Sequence, residues 1–263
     1  MTNFLIIDTE SAWDEHLHEA YRAVEPGAQP HRRLASKRIF AAAALDLTLS
    51  DDGIVTVNGL ASWTERDHGD DAAIAAALFD HIRFRPDHQV VTWSGLAAEV
   101  PLLTLTAMQA GLPLPPQLRA EQRFARGCQR PHRDLALEMK GQGRDWAHLS
   151  EILLRLGAPT ALVAGKARVD LPTTGEQWIA TQAHVELDTG MTAMALLAWL
   201  SVQGTPGISI EAMIAHLASW FLRNRPCSEQ QQEVLEAFCA EMMARIAMEV
   251  TEADSTRELA AAA

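Results

Sequence analysis

Phe4-Leu5-Ile6-Ile7-Asp8-Thr9-Glu10 lies near the start of a 263-residue chain: four apolar residues, then two acids around a threonine. The apolar run is too short and too continuous for an amphipathic helix, and it reads as a buried strand. Residues i and i+2 of a strand project to one face, so Asp8 and Glu10 are expected to converge at the strand tip. Like charges this close repel, and each favours its protonated form unless a cation sits between them. Taken alone, the Asp-x-Glu pair fits a surface turn with two solvated acids better.

Outward from this run, residues 38–49 read as a second strand, although four alanines make it a weak strand former. Residues 50–53 are a turn, and residues 54–57 complete a hairpin. Asp70 is placed to cap a helix over residues 71–83, and residues 89–93 read as another strand. Beyond them the chain reads as mostly helical, over residues 97–110, 145–156, 208–223 and 228–250. A long helix capped by Thr173 or Thr174 reaches about residue 202. Strands first and helices after them predict an α/β fold, a mixed sheet covered by helices. The expected division is a body over residues 1–203, a helical extension over 204–250 and a disordered tail over 251–263.

Composition narrows the function classes. The hydrophobic fraction of 48% supports a sizeable core and excludes a disordered chain. No uninterrupted run of about 18 apolar residues occurs, so no membrane-spanning helix and no membrane partner are expected. Three scattered cysteines form neither a disulfide framework nor a CxxC zinc site. The N-terminus does not read as a signal peptide, and a cytoplasmic location is expected. A net charge of −12 argues at first against a nucleic-acid partner. Its distribution matters more than its sum. Residues 31–38 hold Arg32, Arg33, Lys37 and Arg38 with no acid, and residues 119–144 are also net positive.

Two further segments carry acids in a patterned context. In Trp93-Ser94-Gly95-Leu96-Ala97-Ala98-Glu99-Val100-Pro101, Gly95 permits a tight strand-to-helix turn, and Glu99 falls in the first helical turn. A carboxylate there also suits the helix dipole. In His184-Val185-Glu186-Leu187-Asp188, the histidine and Asp188 stand at i and i+4 and share one face of the long helix. Several other residues read as structural. His16 and His18 look like a surface pair, His132 and Asp134 like structural groups more than ligands, and Trp93 like core more than a base-stacking platform.

The ordered set of three segments resembles the DEDD superfamily of 3′–5′ exonucleases, which have an RNase H-like fold. The resemblance is nearest to predicted exonucleases related to the proofreading domain of family-B DNA polymerases, and it covers about residues 3–203. Their DxE motif is matched by Asp8 and Glu10. Their WNGxxFDxPxL segment is matched by residues 93–103, with Ser94 in the Asn position and Glu99 in the Asp position. Their YxxxD or HxxxD motif is matched by His184 and Asp188. His132-Arg133-Asp134-Leu135 is similar to their HxDL, and residues 149–166 to a stretch that ends in a Gly-Lys pair.

The resemblance implies an RNase H-like mixed sheet and two divalent ions, Mg²⁺ or Mn²⁺. It implies that Asp8 bridges both ions, that Glu10 and Asp188 hold the ion nearest the nucleophile, and that Glu99 reaches the second. His184 would be the general base or water-orienting group, and Thr9, Ser94 and Lys166 would touch substrate. The implied substrate is single-stranded nucleic acid with a free 3′ end, DNA favoured over RNA, cut to nucleoside 5′-monophosphates. The chemistry suits the donor set, because hard carboxylate oxygens are the ligands Mg²⁺ prefers. A 3′–5′ exoribonuclease on short RNA is the near alternative. A nucleic-acid-binding module with a degraded second motif is the distant one, since Glu99 carries one methylene more than the Asp it replaces.

Overall fold

The first strand, β1 (Thr2–Trp13), is three times the length of its apolar run. It continues because β2 (Lys37–Leu49) pairs with it antiparallel along its whole course, placing Ala43 opposite Asp8 and Ala41 opposite Glu10. A bulge between Glu10 and Ser11 then shifts the register. The acids therefore lie inside the strand, not at its tip. Their exposed edge has another origin. The parallel partner β4 (Gln89–Thr92) pairs only with Phe4, Leu5 and Ile6, so β1 runs past the end of its neighbour.

β3 (Val55–Thr64) pairs antiparallel with β2 and outruns the four residues expected of it. Asn58 and Gly59 are poor strand formers that mask the continuation, and pairing with β2 overrides them. β5 (His132–Asp134) adds a short parallel strand outside β4. The sheet is mixed, in the order β3-β2-β1-β4-β5, and helices cover both faces, so the fold is the expected RNase H-like one. The computed structural model describes residues 1–25, 27, 34–119, 131–140, 143–145, 147–164, 170–205, 209–225 and 229–261. Arg32 and Arg33, and Arg123, Arg126 and Arg130 of the second basic stretch, lie outside them.

The helices follow their local signals. α1 (Glu15–Val24) starts at an Asp14 cap, and a four-residue α2 (Glu65–His68) follows β3. His18 of α1 is buried, with its ring 6.4 Å from Trp13, while His16 is exposed, so the two are not a surface pair. α3 (Asp71–Arg83) begins where Asp70 accepts the Ala73 N–H at 2.8 Å. α4 (Glu99–Ala110) ends at Gly111, which adopts φ 67°. Short helices α5 (Leu135–Lys140), α6 (Leu149–Arg155) and α7 (Thr160–Ala164) lead to α8 (Gly175–Val202), whose Thr174 and Gln177 form a capping box. α9 (Ile210–Asn224) and α10 (Glu229–Ala261) complete the chain. α10 stays helical through residue 261, where the sequence suggests a disordered tail.

Alternation along β1 sorts the core into two. Leu5 and Ile7 pack with Ile74 and Leu78 of α3 and Leu103 of α4. Phe4 and Ile6 share the opposite core with Met191 and Met194 of α8 and Phe221 of α9. α8 is long and apolar enough to cross a membrane by length and composition alone, against the expectation of no such segment. Of its most apolar 18-residue window, 72% is buried inside the fold, and that burial accounts for its composition.

Candidate metal centre

The site grows out of the core face of β1. Phe4 and Ile6 cover part of α8, and Asp8 and Glu10 continue the same face by the two-residue alternation. On α8, residues 184, 188, 191 and 195 recur at helical spacing. Met191 and Ala195 enter the core with Phe4 and Ile6. One and two turns earlier, Asp188 and His184 meet the acidic part of the strand. His184 Nε2 lies 3.4 Å from Glu10 Oε1 and 3.7 Å from Asp188 Oδ2.

Ligand atoms of Glu10, His184 and Asp188 all lie within 4.8 Å of one another, and no other such trio occurs among the described residues. Their side chains keep 19%, 14% and 10% of their exposure, so the cluster is largely buried but still reached by solvent. A buried or half-buried pair of carboxylates is costly unless positive charge compensates it. A histidine can supply part of that charge, and a divalent cation can supply more. The two carboxylates suit Mn²⁺ or Mg²⁺ with waters completing the shell, and the imidazole stands beside them as a group that can exchange a proton.

The remaining expected residues are distributed around this trio. Asp8 is half-buried on the same face of β1, one pleat repeat before Glu10, and is not part of the trio. Thr9 alternates to the opposite face, that of Leu5 and Ile7. Glu99 is the half-buried first residue of α4 and stands outside the trio. Ser94 lies in the turn between β4 and α4 with φ 61°. Lys166 lies outside the described residues.

That turn is tightly built. A Cβ on Gly95 would stand 2.2 Å from Thr92 Oγ1, so only glycine fits. Asp134, at the end of β5, is buried and holds the turn in place. Its Oδ1 accepts the Ser94 N–H at 3.1 Å and the Leu137 N–H at 3.2 Å, and its Oδ2 accepts the Leu96 N–H at 2.9 Å. These bonds occupy the carboxylate, so it braces the segment that delivers Glu99 and does not face a metal. His132 Nε2 lies 3.0 Å from Thr92 Oγ1, a second tie between the same strands. The His-Arg-Asp-Leu string was the available sequence signal, but the partners it binds lie 38 to 40 residues away.

Sequence inspection also misses the floor of the site. Ala41 and Ala43, directly opposite the two acids, are fully buried beside Val185 of α8. The alanines that weaken residues 38–49 as a strand allow α8 to approach the sheet closely.

No protein-family model matches this chain. No curated protein matches it either. Among solved structures it is similar to the family B DNA polymerase of Pyrobaculum calidifontis, at 15% identity and a TM-score of 0.46, over 84% of this chain and 29% of the polymerase. It is also similar to E. coli ExoI, in the zinc-bound complex with single-stranded DNA, at 14% identity and a TM-score of 0.40, over 78% of this chain and 42% of that one. An apo exonuclease I shares 13% identity over 77% of this chain and 47% of its own, with a TM-score of 0.35. The chain thus spans less than half the length of each of these proteins.

Proposed function

We propose that this protein is a metal-dependent 3′–5′ exonuclease acting on single-stranded nucleic acid, DNA in preference to RNA. The observation that carries the reading is the meeting of Glu10 with His184 and Asp188. These residues come from two segments more than 170 positions apart, and both match motifs of one nuclease superfamily in the expected order. The polarity and the release of nucleoside 5′-monophosphates rest on that resemblance.

Glu10 and Asp188 would hold a Mg²⁺ or Mn²⁺ ion, with Asp8 on the same face contributing to a second. Bound there, the ions supply a Lewis acid for the phosphate and lower the pKa of a bound water. The residues of the chain do the remaining work. Glu10 and Asp188 flank His184 and hold its Nε2 toward the cluster, where it can take a proton from the attacking water. Glu99 brings a further negative charge from the start of α4. Without cations this acidic wall would repel a phosphodiester, so activity requires them.

The test uses purified protein with end-labelled single strands of DNA and RNA, linear and circular, with Mg²⁺, Mn²⁺ or chelator. Stepwise loss from the 3′ end of the linear strand, abolished by chelation and by Asp188→Asn, is expected. Cleavage of the circular strand would replace the reading with an endonuclease. Retention of the strand with no turnover under either metal would replace it with a binding module, and faster loss of RNA would reverse the sugar preference.

A further inference from the structure

We infer that Arg225, beyond the C-terminal end of α9, is a positioning residue for the metal centre: it acts through Glu186 to set where α8 presents His184 and Asp188. The inference rests on the metal-centre reading above and gives the C-terminal helices a part in it.

Glu186 lies between His184 and Asp188 in sequence but faces away from them, because two residues turn a helix by about 200°. It is 3% exposed. Ser62 Oγ of β3 donates to its Oε1 at 2.5 Å, and Gln182 Nε2 donates to the same atom at 3.1 Å. Arg225 grips it with two donors, Nε at 2.8 Å on Oε2 and Nη2 on Oε1. Ser62 pairs with Ala43, which pairs with Asp8, so all three stand in one row across the sheet. The Glu186–Ser62 bond therefore ties α8 to the row that carries the first motif.

That tie runs through a buried carboxylate, whose burial is costly unless a cation pairs with it. Arg225 is the cation, and it comes from outside the sheet and outside α8. A second contact from α9 falls on the same face of α8. Gly190 lies one turn after Glu186, and a Cβ there would stand 2.5 Å from the Phe221 ring. The Arg225 and Phe221 contacts thus fall on α8 before and after Asp188 in sequence, on a face turned away from His184 and Asp188. Groups that orient metal ligands commonly affect affinity by about 10- to 100-fold although they never touch the ion.

The test measures Mn²⁺ binding by electron paramagnetic resonance, single-strand turnover and thermal unfolding for three variants of the full chain. Arg225→Met is expected to weaken Mn²⁺ binding about tenfold and to lower kcat, with KM for the strand unchanged. Arg225→Lys keeps the charge and should recover most of the affinity. Leu235→Ala opens a cavity in the same core without touching α8's polar face, and should lower the melting temperature while leaving Mn²⁺ affinity within about twofold. If Arg225→Met does not fold, the Glu186→Gln/Arg225→Met pair, which buries no charge, is measured in its place with the same weakening expected. Mn²⁺ affinity within twofold of wild type in a folded Arg225→Met or paired variant would overturn the inference. So would an equal loss in Leu235→Ala, which would reduce Arg225 to general stability. Absence of Mn²⁺ binding by the wild type would instead remove the metal-centre reading, and this inference with it.

Discussion

Asp134 and Asp188 are both buried carboxylates, and their surroundings give them different work. Asp134 is filled by three backbone N–H groups, whereas Asp188 sits beside an imidazole in the one trio among the described residues with the spacing to hold a metal ion. Asp134→Asn turns an NH₂ group toward one of those donors and should cost about 1–3 kcal/mol of stability. It should lower turnover by loosening the 94–96 turn while leaving Mn²⁺ binding at the trio near normal; denaturant titration and Mn²⁺ titration separate the two effects. Glu99 gives a sharper contrast. As a contributor to the centre it should tolerate Asp, the residue type of the superfamily the chain resembles, and lose most activity as Gln, because a neutral amide is the poorer ligand for Mg²⁺. If it served only the helix dipole, Gln would cost at most about 1 kcal/mol and leave turnover alone. Turnover of wild type, Glu99→Gln and Glu99→Asp across a Mg²⁺ titration decides between them.

Among the elements, α3 carries a pH-dependent contribution to stability away from the metal centre. His81 packs edge-on to Trp63 of β3, with ring centroids 5.2 Å apart. Burial, and then the charge of Arg85, push its imidazole pKa down to about 4. The unfolded chain therefore takes up this proton first as pH falls from about 6.5. The contribution is complete above that pH and is lost as pH falls toward 4. The Asp46 carboxylate nearby behaves in a lower window. Burial alone would raise its pKa, but the Asn58 amide, Arg85 and His88 outweigh burial and hold it below its ordinary value, so its contribution is lost only in stronger acid. Urea unfolding at pH 7, 5.5 and 4.5 should show falling stability, and His81→Phe should flatten that slope without affecting the loss at lower pH.

At the scale of the whole molecule, the C-terminal helices belong to the core that carries the site. Met213, Leu217 and Phe221 of α9 and Leu235, Phe238 and Met242 of α10 are buried in the cluster that contains Phe4 and Ile6 of β1. A chain ending at residue 204 would expose the part of α8 that α9 covers and leave Glu186 without its arginine. Each large buried side chain contributes about 1.5–3 kcal/mol, so losing six of them is comparable to the ordinary stability of a whole domain. The truncated chain is expected to be aggregated or molten by near-ultraviolet circular dichroism and size-exclusion chromatography. A monomeric, cooperatively folding fragment would show that the extension is dispensable for the fold.

What could be read from the sequence follows from how local each signal is. The Asp70 cap, the Thr174–Gln177 capping box and the stop at Gly111 are complete within a few residues, and the helices start and end where those residues say. The mixed sheet was legible from strands followed by helices, whereas the acidic motifs stood out through their resemblance to one superfamily and not through alternation or i, i+4 spacing alone. The tertiary structure alone decided how far β1 and β3 extend, because pairing with β2 compensates for acids, Asn58 and Gly59 that are unfavourable in isolation. It also decided which acids meet. Glu10 joins His184 and Asp188 because α8 lies on the Phe4–Ile6 face of the sheet, and small Ala41 and Ala43 let it come close. Asp134 and Arg225 gained their roles in the same way, from partners 38 to 40 residues away. Nothing near them in the chain marks those partners, since the free energy of such contacts exists only once the sheet has brought the segments together.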